Sequence, residues 1–186
     1  MRQITLKEDG NDVCSCDKPL ATATLLTLVS YAQAQSIPPS GDVHVTFTTA
    51  AVPPVKSMDV GNGQQYTQVN LIMTATNDQG NPILNNMAGR CQLTRLVEGG
   101  NQIESHGYCT YSDNDGDLIF EKCDIGPGSV APAGATNLCQ LTGGTGKFAG
   151  LTASLAITTT PPLKNPNDTF QSVGHKSGTY KIAKTN

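Results

Sequence analysis

The stretch RCQLTRLVEGGNQIESHGYCTY, residues 90–111, decides the fold. Its centre, Glu98-Gly99-Gly100-Asn101, is turn material, and Cys91 and Cys109 are equidistant from Gly100. If the flanks pair as an antiparallel hairpin about that turn, the two cysteines face each other. Directly opposed residues bring their Cβ atoms to about 4.5–5.5 Å, from which a modest adjustment reaches disulfide distance. Cys123 and Cys139 are likewise equidistant from Ala131, inside GPGSVAPAG at residues 126–134. The spacing therefore predicts two stapled hairpins, Cys91–Cys109 and Cys123–Cys139. A four-cysteine zinc site is the competing reading, but structural zinc favours closely spaced C-x-x-C-type pairs, which these four do not form.

Working outward, apolar residues alternate with polar ones in period two. Val43, Val45 and Phe47 alternate with His44, Thr46 and Thr48. Val69, Leu71, Met73 and Ala75 repeat the pattern, as do Leu151, Ala153, Leu155 and Ile157. Each reads as a strand with one buried face. Further strands are predicted over 89–97, 103–111, 117–123, 137–142 and 172–183. The separators AAVPP, NDQGNP, EGGN, SDNDGD, TGGTG and TPPLKNPND are turn chemistry. About eight strands in one domain predict an all-β antiparallel barrel or sandwich. Closure into a barrel is favoured because it removes exposed edges.

Composition agrees. The chain has 186 residues, 15% of them charged, with 19 Gly and 11 Pro. Helices exclude Gly and Pro, so a helical bundle is disfavoured. A net charge of −3 gives no electrostatic footprint for nucleic acid, and no basic cluster marks a membrane surface.

Residues 1–34 read differently. LATATLLTLVSYAQA is an apolar run ending in the small-residue site Ala32-Gln33-Ala34, the grammar of a secretory signal peptide. The run is too short and too polar for stable membrane insertion. The acidic residues before it suit a signal poorly, which points to a start further along, with Lys18 supplying the positive charge. Residues 35–186 are then one exported barrel domain, secreted or periplasmic. Cys14 and Cys16 would be removed with the leader.

Two stretches carry a resemblance: GYCTYSDNDGDLIF at 107–120 and LTGGTGKFAGLTASL at 141–155. The second resembles the G-G-[TS]-G-x-[FY]-x-G signature of the allene oxide cyclase and dirigent barrels. Together the two resemble small secreted bacterial proteins of that superfamily. The resemblance implies an eight-stranded antiparallel barrel with an interior cavity. In the plant members that cavity binds a fatty-acid epoxide or orients phenolic radicals, and the subunits assemble as dimers or trimers, so a homo-oligomer is one expectation here. The motif does not reach the catalytic residues of those enzymes, and none is carried over.

Few residues invite chemistry. Gly143, Gly144, Gly146 and Gly150 surround Thr145 and Lys147, but Phe148 follows the lysine, so the P-loop pattern fails. A structural turn with positive φ is expected instead. Asp113, Asp115 and Asp117 have the spacing of the first EF-hand ligands, yet Leu118 stands where that loop needs glycine. A hairpin turn and a weak, extracellular-type calcium site both remain open there. Glu104, His106 and Tyr108 share a face, but Ile103, Cys109 and Tyr111 define the opposite, apolar one, which places the trio outside. Arg95 shares parity with Cys91, Leu93 and Val97. It should point inward, where a lone charge needs a partner.

The leading expectation is thus an exported barrel that binds a small apolar ligand or is structural, with no cofactor. The alternatives are a cyclase, isomerase or stereo-directing protein like the plant barrels, which would work by cavity shape, and a calcium-dependent adhesin-like module resting on the three aspartates.

Overall fold

The computed structural model describes residues 37–125, 137–160, 162–165 and 169–183. The leader reading with Cys14 and Cys16 and the turn around Ala131 lie outside them.

Among the described residues nine strands follow one another: β1 Ser40–Gly61, β2 Gln64–Asn77, β3 Met87–Glu98, β4 Asn101–Ser112, β5 Leu118–Ile125, β6 Asn137–Gly144, β7 Leu151–Thr159, β8 Leu163–Lys164 and β9 Phe170–Ile182. Neighbours pair antiparallel in chain order from β1 to β7, and β7 pairs with β9. β9 returns to β1 through eleven partners, from Ser40↔Lys181 to Ala50↔Gln171. The sheet therefore closes as an eight-stranded antiparallel barrel, and the short β8 adds to the free stretch of β9. No helix among the described residues is long and apolar enough to cross a membrane.

All eight expected strands are present, and one separator is corrected. Residues 50–54 were expected to end the first strand, but β1 runs through them to Gly61. The ladder breaks between Val52↔Asn70 and Lys56↔Gln68, and Pro53 and Pro54 lie inside that break. A missing N–H costs no ladder bond there. The chain reverses instead at Asn62-Gly63, both with positive φ (55° and 73°), the pairing that a tight two-residue hairpin turn requires.

Alternation sends Val43, Val45, Phe47, Val69, Met73, Tyr111, Ile119, Leu141, Leu155 and Tyr180 inward. One end of the barrel is packed solid. Ile83 and Leu84 from the β2–β3 loop and Phe148 from the β6–β7 loop plug it, all at 1% exposure or less. Asn77 organises the first plug: its amide donates to Ile83 O (3.0 Å), and its Oδ1 accepts from the backbone of Gln79 and Asn81 (3.0 and 3.3 Å).

Both expected disulfides form. Cys91 stands directly opposite Cys109, and Cys123 opposite Cys139, each pair 4.1 Å apart at Cα. All four sulfurs sit on the inner face. The bridges close loops of 18 and 16 residues, for which constraint of the unfolded chain is worth about 3 kcal/mol each. Replacing Cys91 and Cys109 together by alanine should lower unfolding free energy by about that amount in a denaturant titration. An unchanged midpoint would show that the bridge does not constrain the unfolded state.

Candidate functional site

Away from the plugged end the inner faces stop meeting. They leave a cavity of about 560 Å³ that is open at the far end of the barrel. Its apolar wall is built from Leu71, Met73, Leu93, Ile157 and Phe170, with Cys91, Cys109 and Cys123 between them. Thr49, Thr159, Thr160 and Ser172 contribute hydroxyls. The volume lies in the range of small-molecule pockets, and so does the mixture of an apolar lining with a few polar groups.

Two charged side chains meet on the cavity's inner wall. Lys176, on β9, and Glu121, on β5, are each 2% exposed. Lys176 Nζ contacts both carboxylate oxygens of Glu121, at 2.7 and 2.6 Å, and donates to Tyr111 Oη at 2.8 Å. Tyr111 in turn donates to Glu121 Oε2 at 2.9 Å. The ammonium also lies 5.1 Å from the ring centroids of both Phe47 and Tyr111, close enough for cation–π attraction. Burial, reinforced by the charge and hydrogen bond of Glu121, pushes the Tyr111 phenol well above its ordinary value, so it remains a donor. All three ammonium protons have acceptors within the network. The result is a fixed, internally neutral polar group in an apolar chamber.

Sequence parity holds both of these residues, although the sequence reading passed them over. Glu121 lies between Ile119 and Cys123 on the inward set, and Lys176 is four residues before the buried Tyr180.

Arg95 does point inward and lines the cavity, between its cross-strand partners Thr67 and Ser105. Burial lowers its pKa. Glu104, His106 and Tyr108 lie on the outer face, as parity implied. There His106 Nδ1 contacts Asp124 at 2.9 Å, and Lys122 pairs with Asp124 at 2.8 Å.

The acidic loop is a turn joined to the glycine-rich one. Asp113 Oδ1 accepts from the backbone N–H groups of Asp115 (2.9 Å) and Asp117 (3.0 Å). Lys147 places its ammonium 2.6 Å from Asp113 and 2.5 Å from Asp115, and its backbone N–H donates to Asp117 (3.2 Å). The Lys147 ammonium thus already pairs with Asp113 and Asp115, while Asp117 takes the backbone N–H of the same residue. Burial alone would raise the Asp113 carboxyl, but Lys147 and the two backbone donors outweigh it and hold it below its usual value. Asp113 and Asp115 in turn raise Lys147. Gly143, Gly146 and Gly150 have positive φ. A Cβ on Gly146 would collide with the Asp117 carboxylate, and one on Gly144 with Leu118 O at 2.5 Å. The glycines are what let this turn close on the aspartates.

No protein-family model, curated protein or solved structure matches the chain.

Removing one member of a buried pair strands the other charge, at about 3–5 kcal/mol, whereas an apolar replacement of both is often close to neutral. Lys176→Met and Glu121→Leu should each lower unfolding free energy by about that amount, and the double variant should recover most of the loss. Additive losses in the double-mutant cycle would show that the pair is not coupled.

Proposed function

We propose that this protein is an exported binding barrel that takes a small apolar ligand into its cavity. The open, largely apolar chamber over the Lys176–Glu121–Tyr111 network is the observation that carries the reading. A barrel that served only as a structural unit would gain stability by filling this space. Export is supported by the two disulfides, which persist in oxidising compartments, together with the signal-like run before Gln35. Kinship with the allene oxide cyclase and dirigent barrels belongs to the same proposal, supported by the GGTGKF stretch and the eight-stranded closure.

Native mass spectrometry of the protein purified from the periplasm or medium tests this reading. The denatured mass should correspond to cleavage after Ala34 less four hydrogens, for two disulfides. The native protein should retain one molecule of a neutral apolar probe such as decanol, and Leu93→Trp, which fills the chamber from its wall, should not. A full-length mass with free thiols would contradict export, and failure of the wild type to bind would contradict the binding reading.

A further inference from the structure

We propose that the cavity is built for an amphipathic monoanion: a single carboxylate or sulfonate held by Arg95, with a compact apolar body packed against Leu93, Leu71 and the Cys91–Cys109 disulfide. This rests on the binding reading above and names the ligand's chemical class.

Among the described residues, the charged side chains lining the cavity are Arg95, Glu121 and Lys176. Lys176 and Glu121 neutralise each other at 2.6–2.7 Å. That leaves Arg95, so the chamber carries one net positive charge inside a protein of net charge −3. No acidic group among the described residues pairs with Arg95. Its strand neighbours Thr67 and Ser105 are uncharged. An apolar wall with one unneutralised cation focuses its field on what enters. A cationic ligand is repelled there, and a dianion would bring a second charge with no partner.

Buried polar atoms in folded proteins are almost always paired. Arg95 Nε and Thr49 Oγ1 are buried without a partner among the described residues, and both residues line this cavity. Thr49 is only 8% exposed. A planar guanidinium suits a carboxylate or sulfonate better than any neutral group, since it can donate two parallel N–H bonds.

On β3 the inward residues below Arg95 are Leu93 and then Cys91, about 13 Å of strand from head group to disulfide. Leu71 lies directly across from Cys91 on β2. An anion at Arg95 therefore hangs its body over an apolar strip of limited depth, closed beyond it by the packed end. A short chain or fused ring fits that space.

Isothermal titration of the protein purified from the periplasm or medium with decanoate and with decanol tests the inference. Decanoate should bind about tenfold more tightly or better, the scale of one charge-assisted contact. Arg95→Met should weaken decanoate to the level of decanol and leave decanol unchanged, and Arg95→Lys should recover part of the difference. Arg95→Gln, polar and uncharged, gives the same comparison if the methionine variant does not fold. Equal affinity for the two probes, or decanoate binding unaffected by loss of the charge, would overturn the inference while leaving the binding barrel intact. Binding of neither probe would overturn both.

Discussion

The seam between β1 and β9 fixes the rest of the molecule. Eleven successive residues of β1 pair with β9, and once they do, the sheet has no free edge along its closed length. Side chains alternate with period two, so this register decides for every strand which residues turn inward. Slipping it by one residue would put Val43, Val45 and Phe47 outside and His44, Thr46 and Thr48 inside. It would also carry Lys176 away from Glu121. The two disulfides pin the hairpins on the far side of the barrel in the same sense, because Cys91, Cys109, Cys123 and Cys139 must all face the interior. Closure and cross-linking thus specify one inside.

That inside is used unevenly. At one end Ile83, Leu84 and Phe148 fill it from the connecting loops, giving the dense packing that supplies stability. Toward the other end side chains become smaller or polar, and a cavity opens. The Lys176–Glu121–Tyr111 network lies within this region. A buried ion pair is poor value as a stabiliser, since desolvation consumes most of its attraction. Its geometry here is nevertheless complete, with every ammonium proton accepted and Phe47 and Tyr111 beside the charge. It makes a rigid polar surface in apolar surroundings, the combination typical of small-molecule pockets.

Much of this is legible in the chain. Period-two alternation and turn residues identify every barrel strand, and the symmetry of the cysteines about Gly100 and Ala131 anticipates both bridges. The Asn62-Gly63 hairpin signal was equally readable, but Pro53-Pro54 suggested an earlier end to β1. The prolines are tolerated because they fall where the ladder already skips. The inward course of Arg95 follows from parity. The same counting, applied from Cys123 and Tyr180, places Glu121 and Lys176 inside. It cannot say that they meet, because 55 residues separate them and their proximity depends on closure. Lys147 is a similar case: it reaches Asp115 from 32 residues away, so the aspartate spacing alone could not reveal it. Nor is the cavity written in any local pattern, since how far a barrel fills depends on stagger and on the combined size of its inward residues.

Crystals pressurised with xenon would test the account most directly, because xenon enters genuine apolar cavities and reports their position. Xenon should appear between Leu71, Leu93 and Ile157, beside a Lys176 ammonium still within hydrogen-bond distance of Glu121. Side chains filling that space, or Lys176 and Glu121 turned out to solvent, would contradict the closed, hollow barrel on which the functional reading stands.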